Sequence, residues 1–245
     1  MIRPDTVAVV IPYYQHEEFI DATLESVAQQ TRSVEKVILI DDGSPTPFRP
    51  SLAHGVLNLQ VFRQTHRGLA CARNLGFEMA KTEYVIPLDS DDLLCKDFVR
   101  ATLPVARETQ APIVYSDIET FGAEAAVYRH PDYDFDRLCR GNYIVATSLI
   151  RISTFQAVRR SNGHGYDQVL SNLGGYEDHL FYLEAGALGM YGVHVAQVLF
   201  RYRRRENSML QQARARFPEI REYMRRKMMG LYAIDIGALT SPGEP

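Results

Sequence analysis

Apolar residues along this chain repeat with two periods. Val7-Ala8-Val9-Val10-Ile11 and Val37-Ile38-Leu39-Ile40 are short, unbroken and mostly β-branched, and they stop at Pro12 and at Asp41-Asp42-Gly43-Ser44-Pro45. Such runs predict strands buried on both faces, as in a parallel sheet. Leu59–Phe62, Tyr84–Leu88 and Ile113–Tyr115 read as further strands. Ile20, Leu24, Val27 and Ala28 recur instead at helical spacing, as do Leu69, Ala72, Gly76 and Ala80. A third helix is predicted around Lys96–Glu108, bent at Pro104. Strand and helix in alternation predict an α/β fold with a central, mostly parallel sheet flanked by helices.

Beyond Ser116 the alternation fades. Asp117–Leu173 is rich in aromatics, Gly and Asn, and Ser161–Gly165 and Asn172–Gly175 read as loops. Met209, Leu210, Phe217, Ile220, Met224, Met228 and Leu231 mark an apolar stripe opposite Arg214, Arg221 and Arg225. A helix of this kind is expected to pack on the domain or on a neighbouring subunit; the rival reading lays it on an anionic membrane surface. Leu239–Pro245 predicts a frayed end.

The chain has 245 residues, enough for one large domain or two small ones with a substantial core. At 46% hydrophobic and 23% charged residues it reads as a soluble globular protein. A net charge of -3 gives no hint of a nucleic-acid partner. Charge is concentrated, however: Arg201–Lys227 holds ten of the 27 basic residues and three acids, Glu206, Glu219 and Glu222. Cys71, Cys95 and Cys139 lie far apart, which suggests neither a zinc site nor a disulfide framework and fits a reducing, cytoplasmic setting. Met1–Asp5 lacks an apolar signal core, and no stretch approaches the roughly 20 apolar residues of a membrane span.

Candidate chemistry sits where the predicted strands end. Pro87-Leu88-Asp89-Ser90-Asp91-Asp92 places three carboxylates in four positions. Like charges so close are costly to desolvate, so the cluster belongs where water or a cation reaches it. Its oxygens suit Mg²⁺ or Mn²⁺. If the chain stays extended, Asp89 and Asp91 leave the same face, and Asp92 points elsewhere and caps the following helix. The plainer alternative makes all three acids helix-start residues feeding Leu93-Leu94. Asp41-Asp42-Gly43-Ser44 ends a second strand; a carboxylate there accepts from a base or ribose, or simply forms an Asp-Gly turn. Pro12-Tyr13-Tyr14-Gln15 ends a third. Sheets of this class bind ligands at the carboxyl ends of their strands, so the three clusters point to one rim.

Two further stretches carry chemistry. Glu177-Asp178-His179 follows Gly174-Gly175 and precedes the helix-like run Leu180–Leu183. A carboxylate there serves as a general base or as a helix cap, and His179 as a ligand or as a partly exposed, hydrogen-bonded side chain. Arg201-Tyr202-Arg203-Arg204-Arg205 suits the oxygens of a leaving diphosphate, or forms a solvated face.

Taken in order, these motifs resemble the inverting family 2 glycosyltransferases of the GT-A fold, over about Val7–Ser208. Val9–Tyr14 with Leu24–Thr31 looks like the family's opening strand and helix. Asp41–Ser44 looks like its nucleoside-binding turn, Arg67–Gly76 like its helix start, Leu88–Asp92 like its metal-binding DxD element and Gly174–Asp178 like its catalytic Glu-Asp motif. The resemblance implies a Rossmann-like GT-A domain over 1–208, with a nucleotide-binding half at about 1–116 and an acceptor-binding half at about 117–208, then a basic helical tail at 209–245.

Roles follow residue by residue from the resemblance. Pro12, Tyr13 and Tyr14 should line the base pocket, with the Tyr14 ring on uracil, and Asp42 should hydrogen-bond the base. Arg73, Arg203 and Arg205 should join the nucleotide-sugar contacts. Asp89 should approach the ribose or sugar, and Asp91 should ligate the metal, with Asp92 a rival and Asp89 beside it. Asp178, preceded by Glu177, should be the general base. Many relatives close this region with Tyr-Arg-x-His-x-x-Ser, but Arg205 stands here where His is expected. Arginine stays protonated and does not ligate metals, though it pairs with phosphate, which implies more reliance on arginine and less on tight metal binding.

The implied reaction moves a sugar from a nucleotide-sugar donor, UDP-linked, to a hydroxyl of a saccharide or lipid-linked acceptor. Mg²⁺ or Mn²⁺ would lie on the diphosphate, and bacterial polysaccharide or glycoconjugate synthesis would be the setting. The expected location is cytoplasmic, with peripheral contact at the inner face of the membrane and a homo-oligomer both left open. A nucleotidyltransferase would want a glycine-rich phosphate loop, which Pro12–His16 lacks. A non-catalytic sugar-nucleotide module is favoured by the missing His and opposed by Asp89, Asp91 and Asp178. Tyr128, Tyr133, Tyr143 and Tyr166 are either sugar-stacking surfaces or core.

Overall fold

The computed structural model describes residues 3–50, 55, 57–205, 213–237 and 239–240. Glu206–Ser208, Met209, Leu210 and the chain end beyond residue 240 lie outside the described residues. One sheet organises the rest. Strands β1 (Val7–Tyr13), β2 (Lys36–Asp41), β3 (Leu59–Arg63) and β4 (Tyr84–Pro87) form its parallel half, in the order β3-β2-β1-β4. Helices α1 (Ile20–Ala28) and α2 (Leu69–Ala80) cross between them. β1 does not stop at Pro12 as predicted; a first-strand proline in register with Ile40 is tolerated and Tyr13 still pairs with Asp41.

The second half departs further from the sequence reading. After β4 the chain forms β5 (Leu93–Leu94), α3 (Phe98–Thr109), β6 (Ile113–Gly122), β7 (Val127–Tyr128), α4 (Phe135–Arg140) and β8 (Leu149–Arg151). It continues through α5 (Ile152–Asn162), α6 (Gln168–Leu173), α7 (Glu177–Ala187), β9 (Gly192–Arg204) and α8 (Phe217–Tyr232). β8 inserts antiparallel between β4 and β6, β9 runs parallel to β6, and β5 and β7 pair antiparallel with β9 and β6. Among the described residues, six of the nine strands share one direction. Leu93-Leu94 is therefore a short strand rather than a helix start, and α3 begins later, at Phe98. Helix α3 runs through Pro104 without interruption. Asn162 and Leu173, expected in loops, close α5 and α6.

Period-two alternation sorts the strand residues onto two cores. Val7, Val9, Ile11, Val37, Leu39 and Ile86 pack with Leu24, Val27, Phe98 and Leu103 on the side of α1 and α3. Ala8, Val10, Ile38, Ile40 and Val85 pack with α2, α5, α7 and α8 on the other. Fully burying each such aliphatic side chain contributes roughly 1.5–3 kcal/mol. Helix α2 lies close to β1 because Gly76 leaves no room for more: a Cβ there would stand 2.2 Å from Val10 Cγ1.

Helix α8 buries the middle of its apolar stripe in the protein. Ile220, Met224 and Met228 are fully buried in the second core. Lys227 reaches the buried Asp167 at 2.9 Å, and Tyr223 donates to the same carboxylate. Ile220, Met224 and Met228 of the predicted stripe are thus covered by the domain, whereas Leu231, at the end of the same helix, is 46% exposed. No helix among the described residues is long and apolar enough to cross a membrane.

Candidate active site

The rim predicted from the sequence is present, but its carboxylates are used differently from one another. Asp42, 3% exposed, accepts from Gln64 Nε2 at 2.6 Å, Arg67 N–H at 2.9 Å and Gly68 N–H at 2.8 Å, and lies 2.9 Å from His66 Nδ1. Its oxygens are occupied by the protein. Asp42 therefore orders the loop that enters α2, where its charge also suits the helix N-terminus, rather than standing open to a base. The Asp41 carboxylate accepts from Ser44 N–H and Phe48 N–H and so closes the loop after β2. Gly43 has φ +75°, and a Cβ there would stand 2.6 Å from His66 N, so only glycine fits.

Of the three residues assigned to a base pocket, only Tyr14 presents its ring. Pro12 and Tyr13 are buried in β1, and Tyr13 packs edge-on against Phe48. Burial and the nearby Glu17 push the Tyr13 phenol up to about 12. Tyr14 is exposed and stacks on His66 with centroids 4.1 Å apart. Gln15 follows with φ +53°, a left-handed backbone at the mouth of the site.

The Asp89–Asp92 segment is a turn, not an extended strand. Asp92 N–H bonds back to Asp89 C=O, so Asp89 and Asp91 do not share a face by strand alternation. Thr23 of α1 holds this turn by donating to the carbonyls of Ser90 and Asp92. Asp92 does not cap a helix; it accepts from the backbone N–H of Arg203 at 2.7 Å. Burial, then Asp91, raise the Asp92 carboxyl well above its usual range, and burial, then Asp89, raise the Asp91 carboxyl. Asp89 is paired with Arg73 at 2.6 Å and Asp91 with Arg205 at 2.8 Å. The pairing of β5 with β9 brings these acids beside the arginine run: Arg203 Nε donates to Asp91 C=O, and its guanidinium lies 4.6 Å from the Phe19 ring centroid and 4.4 Å from that of Phe121. His16, which no sequence motif singled out, bonds Ser90 Oγ at 2.7 Å in the same cluster.

Among the described residues no group of three metal-ligating side chains converges. The donor set does not suit a cage built by the protein alone. It suits a hard cation held by one carboxylate, Asp91, with a ligand's phosphate oxygens completing the shell.

Arg73 links this rim to the Glu-Asp motif. It is 1% exposed and donates to both Asp89 and Glu177. Burial opposes its charge, but Asp89 and Glu177 outweigh burial and raise its pKa. Glu177 is itself buried, and one of its oxygens is paired with Arg73. Tyr176, at φ +72°, turns the chain into α7 just before it. Asp178 is half-buried, accepts from His179 N–H at 2.7 Å and has Asn142 Nδ2 at 3.5 Å. Burial, then the charge of Glu177, push Asp178 up to about 7. His179 points away: fully buried, it bonds Leu138 C=O, and burial pushes it down to about 4.

Asp178 opens onto a cavity of ≈ 500 Å³, with Asp89, Arg73, Tyr128, Asn142, Tyr143 and Tyr202 among its walls. Tyr182 fixes the Tyr143–Thr147 segment of that wall by donating to Val145 C=O and Ala146 C=O. Tyr128 and Tyr143 therefore line the cavity, whereas Tyr166 is core and Tyr133 packs against it. Asn142 escaped the sequence reading because it lies in irregular chain with no motif around it.

Comparison with known proteins places this geometry. Residues 8–164 match the family described as glycosyl transferase family 2. Glycosyltransferase GlyG of Streptococcus pneumoniae serotype 4 (strain ATCC BAA-334 / TIGR4) is 25% identical over 231 residues, 84% of this chain and 73% of GlyG. The uncharacterized glycosyltransferase EpsJ of Bacillus subtilis (strain 168) is 27% identical over 135 residues, so the chain spans 54% of itself but 39% of that relative. The crystal structure of S. aureus TarS 1-349 in complex with UDP-GlcNAc superposes with a TM-score of 0.72 at 18% identity, covering 92% of this chain and 67% of that one. The shared architecture is the GT-A fold. The chain belongs to glycosyl transferase family 2.

Proposed function

We propose that the protein transfers a sugar from a UDP-linked nucleotide-sugar to an acceptor hydroxyl with inversion, and that Asp178 is the general base. The observation that carries this reading is the half-buried Asp178 carboxylate, raised to about 7, at the wall of a cavity next to the acid-and-arginine rim. A base with a pKa near the working pH combines availability with driving force. Family membership supports the reaction class, and the complex of TarS with UDP-GlcNAc supports a UDP-linked donor.

The donor would lie along the strand ends, with its base against the free face of Tyr14 and its diphosphate toward Arg203 and Arg205. Asp91 would hold Mg²⁺ or Mn²⁺, which supplies positive charge to the departing diphosphate. Asp178 takes the proton of the acceptor hydroxyl. The acceptor oxygen bonds to the anomeric carbon from the face opposite the diphosphate. The bond from that carbon to the β-phosphate oxygen breaks, its electron pair leaves on the phosphate, and UDP departs. Arg73 holds Asp89 and Glu177 together, so that Asp178 and the rim keep a fixed relation.

The test is a panel of nucleotide-sugars screened for thermal stabilisation in Mn²⁺, followed by NMR of the product. A stabilising UDP-sugar with an α-linkage should yield a β-glycoside. Retention of the α configuration would overturn the single displacement, and stabilisation by no nucleotide-sugar would overturn the donor class.

A further inference from the structure

The cavity beside Asp178 has two chemically different sides. Its floor carries Asp178 and Asp92 with Asp89 and Glu177, the last two paired with Arg73. Its outer wall, from β7 through α4, carries Arg129, His130 and Arg137; Asp132, Asp134 and Asp136 belong to the same stretch but are not among the residues that line the cavity. Nothing in the proposed handling of the donor uses Arg129, His130 or Arg137.

The wall is built rather than incidental. The register between β6 and β9 shifts on both sides of Asp117, a bulge that re-aims its side chain. Asp117, 1% exposed, accepts from Arg129 Nη1 at 2.8 Å, from His130 N–H at 2.9 Å and from His194 Nε2 at 2.7 Å. One buried carboxylate thus fixes the segment that carries Arg129 and His130. His130 also bonds Ser116 C=O through Nδ1, which leaves its Nε2 free of that contact. The Arg129 side chain remains 69% exposed despite its tie to Asp117, so its remaining N–H groups are open. Arg137 is exposed and forms no ion pair among the described residues; its guanidinium rests 5.7 Å from the Tyr143 ring centroid. An arginine held on an aromatic face with its fork unpaired suits an oxyanion.

We infer that the acceptor is an anionic saccharide, carrying a phosphate or carboxylate that Arg137 and Arg129 receive while its hydroxyl faces Asp178. The inference rests on the glycosyltransferase reading for the word acceptor, but the anion site stands on its own geometry. The unpaired fork of Arg137 on the outer wall would hold the anion outward and leave the hydroxyl toward Asp178.

The test uses the full chain saturated with UDP and Mn²⁺, which fills the phosphate-binding arginines of the rim. Binding of glucose, glucose 6-phosphate and glucuronate is then measured by titration. At least one anionic probe should bind about tenfold more tightly than glucose, the range of a charge-assisted hydrogen bond. The two anionic probes separate phosphate from carboxylate. In Arg137→Ala the advantage should fall to about threefold or less, and Arg137→Lys should recover part of it. UDP affinity should be unchanged in both variants. Equal binding of the three probes, binding by none, or a preference that survives Arg137→Ala would overturn the inference. Failure of UDP itself to bind would instead sink the donor reading.

Discussion

The guanidinium of Arg73 is enclosed between α2 and α7, where it donates to the carboxylate of Glu177, 104 residues away in sequence. This bond, with the second one to Asp89, is what joins the two halves of the site. Arg73→Met should leave Glu177 buried and unpaired, at a cost of about 3–5 kcal/mol. Arg73→Lys keeps the charge but cannot reach both acids, and should fold better while transferring sugar poorly. Urea unfolding together with transfer assays checks both outcomes.

Gly43→Ala tests the turn that Asp41 and Asp42 build. A left-handed backbone costs a non-glycine residue about 1–2 kcal/mol, and the clash with the His66 backbone adds to it. The variant should remain folded but lose most of its stabilisation by UDP. Undiminished stabilisation would mean the turn does not shape the donor cradle.

Arg205 competes with any cation for Asp91. The pair is partly exposed, so its worth is about 1 kcal/mol, or roughly fivefold in binding. Arg205→Ala should lower the Mn²⁺ concentration for half-maximal metal binding without UDP by about that factor, and Asp91→Asn should raise it. An unchanged Mn²⁺ midpoint in both variants would remove Asp91 as the ligand.

Glu184 supplies a pH dependence remote from the site. It is fully buried, one oxygen accepts from Asn162 Nδ2 at 2.6 Å, and burial pushes its carboxyl up to about 7. The folded state therefore holds a proton that the unfolded chain has released, and stability is lost as pH rises from the ordinary glutamate range through about 7. The full penalty is about 3 kcal/mol above that range. Glu184→Gln should raise the Tm by about 6–12 °C at pH 8 and change it little at about pH 4.5. A Tm gain of the same size at both pH values would mean the side chain acts by packing alone.

The parallel half of the sheet was legible because its strands are buried on both faces, which writes unbroken runs such as Val7–Ile11 into the chain. The boundaries of α2 were readable for the complementary reason: its apolar residues meet one face of that sheet. β5 was not, because two residues carry no periodicity, and its pairing with β9 depends on contacts about a hundred residues apart. That pairing is what turns Arg203 and Arg205 onto Asp92 and Asp91. Asp42 shows the same limit at the site. Its position after β2 was readable, but its partners Gln64, Arg67 and Gly68 come from another strand end, and they decide that it orders a loop. Arg129, Arg137 and Asn142 stand in short or irregular elements where only the folded chain reveals what they face.

The most direct test of the role given to Asp178 is the pH dependence of transfer in the wild type and in Asp178→Asn. A base raised to about 7 must lose its proton to act, so kcat/KM in the wild type should rise with pH through about 7 and then level off. In Asp178→Asn transfer should fall by about 10²–10⁴-fold and lose that rise, while UDP binding stays intact. Transfer within about tenfold of wild type, with the same pH profile, would contradict Asp178 as the base.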